Sequence, residues 1–130
     1  MTDEEKAALI NYRTGRALET LDDAKALIAQ ERWNSAANRL YYAAFYLVTA
    51  LLTNEGVKIS SHSGAKQMLA QHYVATGRLE IWVSKVYGRL FNARQDGDYG
   101  DFEQFSADEI LPLLEQTEEF MAAIRKLLPQ

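Results

Sequence analysis

Between Leu40 and Leu52 the chain is apolar or aromatic at every position except Thr49. This run constrains the fold more than any other feature. Its centre, Leu40-Tyr41-Tyr42-Ala43-Ala44-Phe45-Tyr46-Leu47-Val48, has no polar side if coiled as a helix. A helix apolar all round must be covered on several sides. It therefore serves either as the central helix of a bundle or as the carrier of a subunit interface. The run falls short of the roughly 20 residues needed to span a bilayer. The predicted helix extends from about Asn34, a candidate N-cap, to Asn54, with Gly56 as its stop. At about 1.5 Å per residue it is roughly 30 Å long.

The rest of the chain supplies helices to cover it. No strand-like alternation of useful length is present. The first helix is predicted over Asp3–Gln30, with a seam of Ile10, Thr14, Ala17, Leu21, Ala24 and Ile28 at alternating four-three spacing. A third helix is expected over Gly64–Ala75, capped by Ser61 or Ser63 and ended at Thr76-Gly77. A fourth covers Leu79–Ala93. A polar connector follows to Phe105, with Phe102 and Phe105 pinning it to the bundle. Ser106-Ala107-Asp108-Glu109 matches a capping box and opens a fifth helix that reaches Leu128. Pro112 either kinks that helix or marks a later start. The expected architecture is all-α: one five-helix domain over residues 1–130 with an up-down antiparallel core. A chain of 130 residues buries about two-thirds of its unfolded surface, enough for a core without staples.

Composition narrows the chemistry. The absence of cysteine excludes disulfides, cysteine metal sites and thiol catalysis, and fits a reducing compartment. Met1 to Lys6 is acidic and polar, with no signal-peptide pattern, so the expected location is cytoplasmic with no membrane contact. The net charge of −4 is uneven. Between Val57 and Gln95 stand Lys58, Lys66, Arg78, Lys85, Arg89 and Arg94 against Glu80 alone. A basic centre in an acidic protein attracts an anion locally. It is equally a solvated face with clustered charges.

Arg94 is the sharpest candidate. Leu79, Trp82, Val83, Val86 and Leu90 draw one buried stripe, and Arg94, four residues past Leu90, continues it into the acidic segment Asp96-Gly97-Asp98-Tyr99-Gly100-Asp101. A guanidinium on the core phase needs a partner. Asp98 or Asp101 could close the helix end with it, or a phosphate could reach it from outside. Tyr99 could stack on a base or donate a hydrogen bond. Asp98 is either the residue that orients Arg94 or a candidate base. Lys85, Arg89 and Asn92 line one face of the fourth helix and, with Gln95, complete a candidate nucleotide- or phosphate-binding set. The same stripe reads as a plain wet face. No metal site is expected, because Asp96, Asp98 and Asp101 do not keep the spacing of a calcium loop. Ser61-His62-Ser63 reads as a helix cap, and His72, in phase with Ala65, Met68 and Leu69, as a core histidine.

The helix-two motif Asn38-Arg39-Leu40-Tyr41-Tyr42-Ala43-Ala44-Phe45, the Ser61-His62-Ser63-Gly64 loop and the Arg94–Phe102 segment together resemble HEPN domains, across nearly the whole chain. The resemblance implies a helical bundle that dimerises. It also implies, in active members, a metal-independent RNA-cleaving site made of an arginine, a polar residue and a histidine. Other members bind nucleotides or pair with a nucleotidyltransferase as a toxin–antitoxin system. Arg94 matches the family arginine and Gln95 its polar neighbour. The window for the histidine holds Tyr99, Gly100 and Asp101, a departure that counts against ribonuclease activity. The expectation is a homodimer, using helix two, helix four or both, that binds a nucleotide or RNA phosphate near Arg94 and needs no cofactor. The alternatives are an altered ribonuclease using Arg94, Tyr99 and Asp98, and a non-catalytic interaction module whose partner is a nucleotidyltransferase.

Overall fold

The computed structural model describes residues 1–101 and 103–129. Helix α1, Asp3–Ala29, opens on a reciprocal cap: Thr2 Oγ1 accepts from the Glu5 amide at 3.1 Å, and Glu5 returns a bond to the Thr2 amide. It ends at a tight turn in which Glu31 takes the left-handed conformation, φ 58°. That turn sends α2, Trp33–Asn54, back along α1. Helix α3, His62–Leu69, is followed by a single π-turn over Ala70–Val74. Helix α4 spans Ile81–Tyr99 and α5 spans Ala107–Arg125. No strand occurs among the described residues, so the all-α expectation holds.

The apolar run does what its composition requires. Helix α2 packs against α1, α3, α4 and α5, and Leu40, Tyr41, Leu47, Leu51 and Leu52 are fully buried within it. At roughly 1.5–3 kcal/mol per large buried side chain, these residues are the main source of stability. The α1 seam is buried at Ile10, Ala17, Leu21 and Ala24, and the α5 seam at Ile110, Leu113, Thr117, Phe120, Met121 and Ile124. The Ser106–Glu109 capping box is present, and α5 runs unbroken through Pro112.

Beyond α4 beginning at Ile81 rather than Leu79, four boundaries differ from expectation. Asn34 is not the cap of α2. Arg32 holds that position without a side-chain bond, and the Asn34 amide instead spans to the connector, donating to the Glu103 carbonyl and accepting from the Phe105 amide, both at 2.9 Å. Helix α3 starts two residues earlier than expected, with Ser61 Oγ capping the Gly64 amide, and gives way to the π-turn after Leu69. That turn shifts the phase, so Tyr73 enters the core and His72 is exposed. The expected core position of His72 is therefore corrected. Helix α5 stops at Arg125, although Leu128 beyond it is still buried.

The fourth difference matters most. Helix α4 does not end at Ala93 but continues through the acidic segment to Tyr99. At Gly97 a Cβ would stand 3.1 Å from Phe105 Cε2, so the glycine lets the connector ring lie close against the helix. Phe105 is partly buried there, as expected of a pinning residue, whereas Phe102 lies outside the described residues. No helix among the described residues is long and apolar enough to cross a membrane.

Candidate functional site

The extended end of α4 crosses the N-terminal half of α2, and the start of α3 closes on the same aromatic cluster. Arg94 is 9% exposed, on the buried stripe as its spacing required. Its guanidinium carbon lies 5.2 Å from the Tyr41 ring centre, 5.7 Å from Tyr42 and 5.8 Å from Tyr99. Three tyrosine faces thus replace much of its hydration shell by attraction to their ring quadrupoles. Charge pairing is weaker. Arg94 Nη1 stands 3.7 Å from Asp98 Oδ2, one turn ahead on the same helix, and Arg94 Nε is enclosed with no hydrogen-bond partner. An enclosed guanidinium N–H without an acceptor costs about 1–3 kcal/mol, and natural proteins rarely leave one so.

Asp98 is held from the other side. Asn38 Nδ2 donates to the same Oδ2 at 2.9 Å, while Asn38 Oδ1 accepts from Arg39 Nε at 2.9 Å and Nη2 at 2.7 Å. The Arg39 guanidinium also lies 5.1 Å from the Tyr42 ring centre. Two arginines are thereby joined through one amide and one carboxylate, and the cluster keeps an excess positive charge. Beside it opens a cleft of about 340 Å³ lined by Leu27, Asn34, Ser35, Asn38, Arg39, Gly97 and Asp98.

The Tyr41 ring also meets His62, with ring centres 5.7 Å apart. The Tyr41 hydroxyl and His62 Nδ1 are 2.7 Å apart, and the imidazole lies 4.4 Å, centre to centre, from Phe45. Burial, and then the charge of Arg94, push the His62 pKa below its usual value, which keeps the ring neutral. Burial pushes the Tyr41 hydroxyl up. Among the described residues no group of three or more histidine, cysteine, aspartate or glutamate side chains could hold a metal ion.

The structure divides the candidate residues. Arg94, Asp98 and Tyr99 converge, although Tyr99 is 74% exposed and covers the site rather than packing into the core. Gln95 is exposed next to them. Lys85, Arg89 and Asn92 are exposed on another side of α4, roughly 140–180° round the helix from Arg94 at about 100° per residue. Arg89 there donates to Gln116 of α5 at 3.2 Å. Asn38, Arg39, Tyr41, Tyr42 and His62 belong to the site and were not among the candidates. Asn38, Tyr42 and Phe45 at spacings of four and three already placed an amide on the aromatic face of α2. Nothing in sequence, however, brought His62 to it.

The sequence profile of the HEPN domain matches residues 10–127. The chain belongs to the HEPN domain family. A UPF0332 protein of Thermotoga maritima is 42% identical over 124 residues, covering 95% of this chain and 94% of its own. Two proteins of Methanocaldococcus jannaschii are more distant. "Putative toxin MJ0142" is 28% identical over 87% of this chain and 77% of its own, and "Putative toxin MJ0605" is 28% identical over 98% and 91%. In this HEPN domain the position where the resemblance places a histidine is held by Tyr99, and the histidine nearest the arginine cluster comes instead from the start of α3.

Proposed function

We propose that this HEPN domain binds a phosphate of a nucleotide or of single-stranded RNA at Arg94. The observation that carries the reading is a guanidinium nine-tenths buried among three tyrosines, with one long ion pair and an enclosed N–H that has no acceptor. A guanidinium so dehydrated and so poorly paired gains from a phosphate oxygen at its remaining exposed edge. Asp98, fixed by Asn38, orients Arg94; Tyr99, exposed over the site, stacks on the ligand or donates to it. Arg39, in the lining of the neighbouring cleft, adds a second positive charge. The protein acts as a homodimer through α2, α4 or both. The names of two relatives as putative toxins support a place in a toxin–antitoxin pair; the nucleotidyltransferase partner is what the HEPN resemblance implies.

Fluorescence anisotropy with a labelled ribonucleotide hexamer, alongside competition by ATP, tests this. The wild type is expected to bind, and Arg94→Met to lose about tenfold or more in affinity, the value of one charge-assisted hydrogen bond. Equal binding by the two proteins would refute it.

A further inference from the structure

The Tyr87 ring is wholly buried between α2 and α5, stacked on Phe120 at 5.6 Å, and its centre lies 5.9 Å from that of Tyr41. Its hydroxyl is enclosed without a hydrogen-bond partner, and burial above all pushes it far above its ordinary value. Among the described residues the side-chain partner of the Tyr41 hydroxyl is His62 Nδ1, at 2.7 Å, so the Tyr41 proton has that nitrogen as its acceptor. A neutral imidazole that accepts at Nδ1 carries its proton on Nε2. No described residue is bonded to that Nε2, and the ring is only partly buried.

We propose that His62 is a second ligand contact of the Arg94 site, a fixed Nε2–H donor aimed at the nucleobase of the nucleotide whose phosphate Arg94 holds. The proposal rests on the reading of Arg94 given above. A base is favoured over a second phosphate because the imidazole is flanked by the faces and edges of Phe45 and Tyr42 rather than by free cations. Aromatic flanks suit a stacked base, which a sequence-tolerant single-strand site uses for much of its affinity. Tyr41 is a positioning residue here. It touches no ligand, and it acts by denying the imidazole its other tautomer.

Two measurements decide it. The ¹⁵N resonances of His62 should show the Nε2–H tautomer in the wild type and a mixture of tautomers in Tyr41→Phe, which keeps the ring and removes the hydroxyl. A wild type in the Nδ1–H form would overturn the proposal. Anisotropy with a ribonucleotide hexamer and with an abasic hexamer then separates base from phosphate. His62→Phe, which preserves an aromatic ring against Phe45, should weaken the ribonucleotide hexamer by about three- to tenfold and leave the abasic hexamer unchanged. An equal effect of His62→Phe on both probes, or none on either, would overturn the base contact. Arg94→Met should weaken both probes. If it weakens neither, the phosphate site itself is refuted and the base contact falls with it.

Discussion

Replacing Arg94 by methionine should leave the fold nearly as stable as it is while abolishing the anion site. The change removes three cation–π contacts at 5.2 to 5.8 Å, together about 2 kcal/mol. It also removes an ion pair at 3.7 Å to a carboxylate whose side chain is 28% exposed, a pair worth about 0–1 kcal/mol. Against these losses, methionine ends the burial of an N–H without an acceptor, about 1–3 kcal/mol. Asp98 is not stranded, because it keeps the Asn38 hydrogen bond and its access to water. The opposing terms nearly cancel. At about 3–5 °C per kcal/mol for a domain of this size, the melting temperature should move by no more than about 5 °C in either direction. Differential scanning calorimetry on both proteins at neutral pH gives the number. A fall beyond about 10 °C, accompanied by unchanged affinity for the RNA hexamer, would show that Arg94 is a structural cation. Breaking a buried pair that mattered to the fold costs about 3–5 kcal/mol.

Other perturbations have equally definite outcomes. His62 has a pKa lowered in the fold, so the unfolded chain binds its proton more readily. Its contribution is full above the unfolded value of about 6.5 and is lost as pH falls through the folded value. Between pH 7.5 and 5 the wild type should therefore lose more melting temperature than His62→Phe, and parallel curves would contradict this. Gly100→Ala should destabilise by about 1–3 kcal/mol, since the new Cβ would lie 2.6 Å from the Asp96 carbonyl oxygen and 2.5 Å from Glu103 Cγ. A urea midpoint equal to wild type would show that the end of α4 shifts freely. Glu31→Gly should raise stability by up to about 1 kcal/mol, because Glu31 holds φ 58° at the end of α1. Thermal melts that show no gain would mean that Glu31 has a compensating contact.

The bundle was legible wherever one residue and its near neighbours decide the outcome. The all-apolar centre of α2, the Ser106 capping box and the α5 seam each speak locally. Arg94 could be placed on the buried stripe because four residues separate it from Leu90. The same local logic misjudged Asp96-Gly97-Asp98, whose composition is that of a turn. Contacts from Asn38 and Phe105, sixty positions before Asp98 and eight after Gly97, accompany its helical form. The π-turn was invisible for the same reason. Tyr73 and His72 are adjacent, and it is Tyr73 that enters the core, its hydroxyl donating to the Leu51 carbonyl at 3.3 Å. His62 looked like a cap residue because its neighbours are serines. Its partner Tyr41 is twenty-one residues away, and no spacing rule connects a loop to a helix face.

The Asn34 amide has a consequence for how the protein is made. One side chain at the start of α2 grips the carbonyl of Glu103 and the amide of Phe105, and Asn38, one turn on, grips Asp98. The wall of the arginine cleft is thus assembled from two stretches some seventy residues apart in synthesis. A nascent chain that has emerged only as far as α3 has its aromatic face but no Arg94, no Asp98 and no clamp. The cleft can form only once the segment from Arg94 to Phe105 has been synthesised.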